Sequence, residues 1–378
     1  MQTSGIAEFN FKFLSSKDMN KTICFAAVMI CLLCTVTAHA QRIMVSNLNK
    51  KHHAVHKFSF VQLSDIHVGE GIPDYGTPGY NDTMPAGDIG YSAERLRKAV
   101  NWINANAKKR DIRFVIVTGD LTDSGEKSEF EKANEVLSAL TIPFVPQIGN
   151  HDVVQHVSGE WYPATDTVQA NHRVWSPAAL GDSVANVVFE KEFDTLQRFA
   201  DHWDDGYRQV RVYSPYSQHE QFFQNFMFTY QGYGFVFFDL NPRFIYGRPK
   251  TDHGPKPRLN DFPHASFDWL MHCLSALSDT GSHNMFLFSH QPPHHDFMSI
   301  FNGLPTNEYD KLTQALLPYR SHIAYWMAGH VHRNKSYAVR TLRSGKFVLR
   351  ARETASNKEH KNGILRIVNV YEEAPKGK

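Results

Sequence analysis

The chain has 378 residues, which accommodates one large domain or two smaller ones, and its hydrophobic content of 42% is enough for a sizeable core. The formal net charge is +2, so the overall charge gives no reason to expect nucleic acid or an anionic membrane as the main partner. The 21 histidines are numerous, and such a supply suits a protein that binds metal ions.

The N-terminal segment has the parts of a secretory signal peptide. An apolar run at 23–38 follows Lys21 and ends in Ala-His-Ala at 38–40. Met19 looks like the natural start of this pattern, and residues 1–18 would then be an over-extended reading of the gene. We expect cleavage after residue 40 and export to the periplasm or the medium. The rival interpretation is an N-terminal membrane anchor, for which the run is short.

The region that follows begins with polar residues and then alternates between strands and helices. Residues 41–57 are polar and basic, and we expect a flexible leader there. Apolar runs then predict strands at 58–64 and 113–118 and a short strand-like run at 142–148, with amphipathic helices at 91–109 and 126–140. The order β-α-β-α-β indicates a layered α/β fold.

A stretch rich in Trp and Tyr at 153–220 interrupts this alternation. We interpret it as an insertion, partly helical at 189–199, that either shapes substrate access or completes the core. Beyond it, the patterns predict a hairpin at 222–230 and 233–240, helices at 264–277 and 308–317, and strands at 284–289, 322–327, 335–339, 346–350 and 364–370. We therefore expect a single domain over 58–372. His294 and His295 are expected as exposed imidazoles on a rigid turn.

Five polar blocks follow these strands, and open α/β sheets present their sites at the carboxyl ends of strands. The blocks are Asp65-Ile66-His67, Gly119-Asp120, Gly149-Asn150-His151-Asp152, Ser289-His290 and Gly329-His330-Val331-His332. Two aspartates, one amide oxygen and four imidazoles form a borderline donor set that suits Fe, Mn, Zn or Co and lacks the thiolates of structural zinc. These donors are too many for one catalytic ion with an open position, and they fit two ions that share a carboxylate.

The ordered series resembles the calcineurin-like metallophosphoesterase family, over about residues 58–367. The resemblance implies a β-sandwich flanked by helices, in four layers α/β/β/α, and a dinuclear metal-dependent hydrolase of phosphoric esters. In that family pattern Asp120 matches the carboxylate that bridges both ions. The resemblance gives one ion the ligands Asp65, His67 and His332, and gives the other Asn150, His290 and His330.

The resemblance also implies a mechanism. Two metal ions lower the pKa of a bridging water, and the resulting hydroxide attacks phosphorus. His151 matches the family's catalytic histidine, the general acid for the leaving oxygen, and Asp152 is expected to orient its imidazole. Because the first block is Asp-x-His and no Tyr lies three places after Asp120, the chain is more similar to the cyclic-nucleotide phosphodiesterase and general phosphoesterase branch than to purple acid phosphatases.

The substrate implied is a small phosphate ester, and the ligands leave monoester and diester open. One alternative function is a binding or scaffold protein on the same fold with a silent site. Another is an exported nuclease, which the near-neutral charge and the absence of a basic, aromatic-interleaved stripe argue against. We expect no nucleic-acid partner and no stable membrane anchor.

Overall fold

The computed structural model describes residues 41–73, 90–153, 156–157, 160–161, 181–206, 210–214, 219–242, 256–261, 263–279, 284–295 and 303–373. The predicted signal peptide lies outside these residues, as do parts of the insertion predicted at 153–220. From Arg42 onward the chain forms one compact unit. None of the described helices combines the length and the apolarity that crossing a bilayer requires.

The described residues form strands and helices at nearly all the predicted places. The strands are β1 (Arg42–Leu48), β2 (Ala54–Leu63), β3 (Ile112–Thr118), β4 (Phe144–Gln147), β5 (His156–Val157), β6 (Glu160–Trp161), β7 (His202–Asp204), β8 (Arg211–Ser214), β9 (His219–Phe222), β10 (Phe226–Tyr230), β11 (Tyr233–Phe237), β12 (Met285–Phe288), β13 (Ile323–Ala328), β14 (Lys335–Arg340), β15 (Phe347–Glu353) and β16 (Ile364–Glu373). The helices are α1 (Gly90–Arg110), α2 (Lys127–Leu137), α3 (Gly181–Val188), α4 (Glu190–Phe199), α5 (Ser266–Asp279) and α6 (Thr306–Leu316), with 3₁₀ turns at Leu317–Tyr319 and Asn357–Glu359.

One sheet has five strands in the order β1-β16-β2-β3-β4. Strands β2, β3 and β4 are parallel, β16 runs antiparallel to β2, and β1 runs parallel to β16 from Arg42 opposite Ile364 to Leu48 opposite Val370. The prediction of a flexible leader over 41–57 is therefore wrong. Its residues form an edge strand and the start of β2, and the pairing partner of β1 lies at the other end of the chain, where local sequence patterns do not reveal it.

The second sheet has seven strands in the order β14-β15-β13-β12-β11-β10-β7. The two sheets face each other across a core rich in aromatic rings. Phe114 of the first sheet packs edge-on against Phe235 of the second at 5.1 Å between ring centroids, and Phe60 packs against Phe286 at 5.2 Å. Edge-on contacts between phenylalanine rings thus hold the two sheets together.

Helices cover the outer faces of both sheets. Apolar side chains of α1 and α2, such as Leu96 and Phe130, join the core of the five-stranded sheet. Trp269 of α5 and Leu312 of α6 belong to a second core cluster on the outer face of the seven-stranded sheet. The predicted α/β fold with layers α/β/β/α is confirmed.

Candidate metal centre

All five polar blocks begin directly beyond the carboxyl ends of buried strands. Strands β2, β3 and β4 of one sheet and β12 and β13 of the other end at the same edge of the sandwich. The residues predicted as ligands therefore meet in one place, as the carboxyl-edge argument requires.

A first group of donors consists of Asp65, His67, Asp120 and His332, with one ligand atom from each lying within 4.8 Å of the others. His67 Nε2 lies 3.5 Å from Asp120 Oδ2 and 3.3 Å from His332 Nε2. His332 Nε2 lies 3.3 Å from Asp65 Oδ1. Two carboxylates and two imidazoles thus converge on a space of the size that one metal ion occupies.

A second group surrounds the other oxygen of the same aspartate. His290 Nε2 lies 3.2 Å from Asp120 Oδ1, 2.9 Å from Asn150 Oδ1 and 3.3 Å from His330 Nδ1. One ligand atom each of Asp120, His290 and His330 lies within 4.8 Å of the others. Because Oδ2 of Asp120 faces the first group and Oδ1 the second, its carboxylate stands between the two.

The backbone of this region is unusual. Five of the predicted ligands have left-handed φ angles, a conformation that non-glycine residues rarely adopt: Asp65 (50°), His67 (43°), Asp120 (50°), His330 (69°) and His332 (50°). Such strained conformations cost about 1–3 kcal/mol each and cluster at functional sites. This concentration of strained residues is consistent with selection for a site rather than for stability.

The motif glycines are required by close approach. A side chain at Gly119 would put its Cβ 2.3 Å from Nδ1 of His290, and Gly119 also has a φ of +85°. A side chain at Gly149 would put its Cβ 2.3 Å from Oδ1 of Asp120. Each glycine therefore lets one ligand loop lie against a ligand from another strand.

Burial and neighbouring charges set the protonation states of the donors. Burial lowers the pKa of His67 well below its ordinary value, and burial together with the charge on His290 lowers the pKa of His330 to about 3. Burial opposes ionisation of Asp120, but His290 and His151 outweigh it and hold its pKa well below the usual range. Burial would lower the pKa of His290, and the Asp120 carboxylate outweighs this and raises it to about 9. Neutral His67 and His330 and ionised Asp120 are the forms that bind metal ions, whereas His290 must release a proton when an ion binds.

The donor set passes a simple test of fit to metal ions. Nε2 of His330 is buried and has no hydrogen-bond partner among the residues that the structure describes. A buried polar atom without a partner costs about 1–3 kcal/mol. The atoms that fit a metal ion are the converging Asp120 Oδ1, Asn150 Oδ1, His290 Nε2 and His330 Nδ1, and the unpartnered Nε2 of His330 points away from them, toward the place of a further bound group.

The histidine ligands are oriented by further hydrogen bonds. His67 Nδ1 lies 3.1 Å from Asp123 Oδ1, and His332 Nδ1 lies 3.3 Å from Glu359 Oε1. His290 Nδ1 lies 2.9 Å from the carbonyl oxygen of Thr118. Such partners fix the ring orientation and raise the basicity of a metal-binding imidazole.

Sequence reasoning missed two of these orienting residues. Asp123 follows Asp120 by three positions in the same loop. A carboxylate so close to a predicted ligand could have been recognised from the sequence as a partner for a ligand imidazole. Glu359 belongs to a 3₁₀ turn far along the chain, and its local sequence gives no indication of the contact with His332.

The imidazole of His151 lies next to both groups. Its ring packs edge-on against that of His67 at 4.4 Å, and its backbone amide donates to Asp120 Oδ1 at 3.0 Å. Its Nδ1 lies 2.7 Å from the carbonyl oxygen of Asp123, which can only accept a hydrogen bond. Nδ1 therefore carries a proton, and Nε2 is the atom that exchanges protons with a bound molecule.

The expected contact between Asp152 and the imidazole of His151 does not occur among the described residues. Asp152 is fully buried, and its carboxylate instead accepts hydrogen bonds from Gly149 N, Leu121 N, Thr122 N and Thr122 Oγ1 at 2.6–3.1 Å. Burial, with repulsion from Asp120, raises its pKa to about 7, and these donors oppose the rise. The prediction that Asp152 orients His151 is corrected: Asp152 ties the loop after β3 to the loop after β4.

A second polar cluster lies beside the first. Glu353, at the carboxyl end of β15, is fully buried, and its Oε2 lies 2.5 Å from Nε of Arg333. His294 pairs with the same carboxylate and stacks on Tyr337 at 4.5 Å between ring centroids. The His294 side chain is 14% exposed, so the prediction of an exposed imidazole at this position is wrong. Because Arg333 follows His332 directly, the cluster fixes a guanidinium next to a predicted ligand loop.

The fold and the convergent donors define the class: a two-sheet α/β protein whose strand ends gather residues that could hold metal ions. Residues 58–334 match the family model described as calcineurin-like phosphoesterase. The chain belongs to the calcineurin-like phosphoesterase family.

Curated relatives match part of the chain. A probable cyclic nucleotide phosphodiesterase of Rhodopseudomonas palustris is 39% identical over 94 residues, which cover 25% of this chain and 29% of the relative. A probable glycerophosphodiester phosphodiesterase of Arcobacter nitrofigilis is 34% identical over 101 residues, covering 27% of this chain and 32% of the relative. The matched stretches thus span about a third or less of the length of these relatives.

Solved structures are similar at a lower level. A purple acid phosphatase from yellow lupin seeds has a TM-score of 0.42 and 13% identity, covering 85% of this chain and 46% of that one. A putative 5'-nucleotidase from Staphylococcus aureus has a TM-score of 0.37 and 15% identity, covering 79% of this chain and 48% of that one.

Proposed function

We propose that this protein hydrolyses phosphodiesters at a centre of two transition-metal ions. The observation that carries the proposal is the position of Asp120, whose two carboxylate oxygens face two separate donor groups. Asp65, His67 and His332 would complete one metal site, and Asn150, His290 and His330 the other. The donor chemistry suits Mn, Fe, Zn or Co. Bound there, two such ions would supply a hydroxide nucleophile and hold the phosphoryl oxygens.

The chain's own residues do the rest of the chemistry. His151 is the general acid in its doubly protonated form: the Asp123 carbonyl holds the proton on Nδ1, and Nε2 gives its own proton to the leaving oxygen and becomes neutral. Asp123 and Glu359 hold the imidazoles of His67 and His332 in the orientation needed for metal binding. Asp152 keeps the loops that carry Asp120 and Asn150 together.

The preference for diesters rests on the relatives. Both curated relatives named above are called phosphodiesterases, and they share their matched stretches with this chain at 34–39% identity. The test is to compare kcat/KM for bis(4-nitrophenyl) phosphate and 4-nitrophenyl phosphate on the metal-loaded protein. A higher value for the diester supports the proposal, and a higher value for the monoester makes the protein a phosphatase. Turnover of neither ester with both metals bound points to a narrow natural substrate, and the absence of both metal and turnover favours the scaffold alternative.

The acid role of His151 has its own test. His151→Ala should keep both metal ions. Its loss of activity should be larger for diesters with poor, high-pKa leaving groups than for nitrophenyl diesters, because nitrophenolate leaves without a proton. His53→Ala, an exposed histidine in the turn before β2, is the matched control and should behave as the wild type. Equal losses for good and poor leaving groups would remove His151 from the role of acid.

We also propose that the protein is exported after removal of residues 1–40, and that the mature chain is one domain that begins with β1 and contains the insertion at 153–220. The pattern of a basic residue, an apolar run and Ala-His-Ala supports this proposal. Expression in a bacterial host followed by mass spectrometry of the exported chain tests it. A mature N-terminus at Gln41 is expected, and a chain retained in the membrane fraction with residues 23–38 intact would contradict it.

A further inference from the structure

The two sheets differ in width, which leaves the tip of one hairpin outside the sandwich. Tyr325 Oη of β13 donates to the carbonyl oxygen of Asn47 in β1 at 3.2 Å, so β13 lies opposite the edge strand of the five-stranded sheet. Strands β14 and β15 continue the seven-stranded sheet beyond that edge. The base of this hairpin contacts the other sheet, where Nη2 of Arg366 on β16 donates to the carbonyl oxygen of Glu353 at 2.9 Å. Residues 333–352 are called here the basic hairpin, and its tip extends beyond that contact.

The register shows which side chains lie on the uncovered face. Arg352 pairs with Met327, whose side chain belongs to the core between the sheets, so Arg352 points to that side. Its neighbours on the same face are Arg350, opposite Ala338, and Phe347, opposite Arg340. Arg340, Phe347 and Arg350 are all exposed.

The other face of the basic hairpin is covered. Val339 and Leu349 lie opposite each other and are 1% exposed, and both belong to the core cluster that packs against α5 and α6. The hairpin is thus fixed in place by one face and presents the other to its surroundings.

The charge of the basic hairpin is entirely of one sign. Residues 333–352 contain seven Lys or Arg residues and no Asp or Glu, although the net charge of the whole chain is only +2. The rest of the chain is therefore net acidic. The net charge of the whole chain does not show this uneven distribution of charge. A surface of this kind attracts anionic partners and orients the protein toward them.

Most of these cations have no carboxylate partner in the part of the chain that the structure describes. Among the described residues, no carboxylate lies within 4 Å of the side-chain nitrogens of Lys335, Arg340, Lys346 or Arg350. Arg343 lies 3.9 Å from Asp310 with its side chain 87% exposed, and Arg333 is held by buried Glu353. At least five cations therefore face outward on this hairpin.

Two large apolar side chains stand among the cations. Phe347 is 42% exposed, and Leu342, at the turn of the hairpin, is 39% exposed. An apolar tip surrounded by Lys and Arg is the arrangement that enters the headgroup region of a bilayer, where the cations meet anionic lipids. Of these two side chains only Phe347 has a ring on which a nucleic-acid base could stack, whereas single-strand sites stack successive bases on several rings, which favours lipid as the partner.

We propose that the basic hairpin docks the protein on a membrane surface rich in anionic phospholipid, with Leu342 and Phe347 entering the interface and Arg343, Lys346 and Arg350 contacting lipid phosphates. Arg333, at the base of the hairpin, directly follows the predicted ligand His332. The strand-end site therefore lies at the opposite end of the hairpin from the docking tip.

The test measures binding of the full chain to vesicles by co-sedimentation. Vesicles of phosphatidylcholine alone are compared with vesicles containing 30% phosphatidylglycerol, and the difference between them is the readout. Any binding through the apolar run at 23–38 occurs with both compositions and cancels in that difference. The hairpin variant is Arg343→Gln/Lys346→Gln/Arg350→Gln. The matched control is Lys108→Gln/Lys109→Gln/Arg110→Gln, which removes the same charge from the exposed end of α1.

Each surface cation contributes about 1 kcal/mol to binding at an anionic membrane, so the hairpin variant should lose about 100-fold in the anionic partition coefficient while the control stays within about threefold of the wild type. Phe347→Ser should lose about tenfold with no change in net charge. Turnover of a small soluble diester should be the same in all these proteins.

Three results would overturn the proposal. The first is binding of the wild type to vesicles that does not depend on anionic lipid. The second is a loss of binding in the control variant as large as that in the hairpin variant. The third is a hairpin variant that binds anionic vesicles as tightly as the wild type. Binding of the wild type to a single-stranded oligonucleotide but not to anionic vesicles would assign the hairpin to nucleic acid instead.

Discussion

Replacing Asp152 by asparagine separates a structural role of this carboxylate from a catalytic one. In the structure each oxygen of Asp152 accepts two hydrogen bonds: Oδ2 from Gly149 N and Leu121 N, and Oδ1 from Thr122 N and Thr122 Oγ1. Asparagine has the same shape and only one oxygen. Whichever way the amide lies, its NH₂ group faces two donors.

The expected cost follows from that count. Each buried donor left without an acceptor costs about 1–3 kcal/mol, so the loss is about 2–6 kcal/mol in the free energy of unfolding. The neutral amide also removes repulsion from Asp120, which places the expected loss in the lower part of that range, at about 2–4 kcal/mol. Because Asp152 does not contact the imidazole of His151, the chemical step should be little affected once metal is saturating.

The assay combines urea denaturation with kinetics at saturating metal. Asp152→Asn should lower the free energy of unfolding and weaken metal binding. Its kcat should stay within about threefold of the wild type, with the same dependence on leaving-group pKa. The reason is that removing a positioning residue changes metal affinity more than it changes the chemical step. Asp194→Asn, an exposed carboxylate on α4, is the matched control. Unchanged stability with a large fall in kcat would refute the structural role and restore the catalytic one.

Three further predictions concern other residues. Asp123→Asn should weaken metal binding by about 10–100-fold, measured by titration with a metallochromic chelator, because the His67 imidazole loses an anionic partner; unchanged affinity would contradict this. Burial, followed by the charges of Glu126 and Asp123, raises the pKa of Glu129 well above 4.5. The folded protein therefore keeps the Glu129 proton at pH values where the unfolded chain loses it. The free energy of unfolding then falls as the pH rises from about 4.5 toward the folded pKa, by up to about 1.4 kcal/mol per pH unit. Glu129→Gln removes this loss, so its Tm relative to the wild type should increase with pH over that window, and a pH-independent difference would count against it. Phe114→Ala should cost about 3–5 kcal/mol in the free energy of unfolding, since its fully buried ring packs between the sheets; a loss below 1 kcal/mol would mean that the ring contacts do not hold them together.

The sequence was most informative where periodicity and motif coincide. Helix α1 was predicted at 91–109 and forms at Gly90–Arg110, and strand β3 was predicted at 113–118 and forms at Ile112–Thr118. In both, the apolar pattern is long and regular, so local propensity and tertiary packing agree. The convergence of the ligand blocks followed from a general rule about strand ends.

What the sequence did not reveal depends on contacts between distant segments. Strand β1 forms because Arg42–Leu48 pairs with β16, more than 300 residues away. His294 is mostly buried because its imidazole pairs with the carboxylate of Glu353, and no local sequence pattern connects the two residues. Asp152 stands beside His151 in the chain, yet its carboxylate turns toward the loop after β3, where buried amide donors are available. In each case the partner is set by the fold and not by neighbours in the chain.

The most direct test of the central claim is the number of metal ions per chain in the wild type and in Asp120→Asn, measured by mass spectrometry of the loaded protein together with hydrolysis of bis(4-nitrophenyl) phosphate. Two ions per wild-type chain with turnover, and the loss of both ions and of turnover in Asp120→Asn, are the results expected if this carboxylate joins the two groups. A single ion per wild-type chain, or a variant that loses only one ion and keeps its turnover, would contradict a shared dinuclear centre.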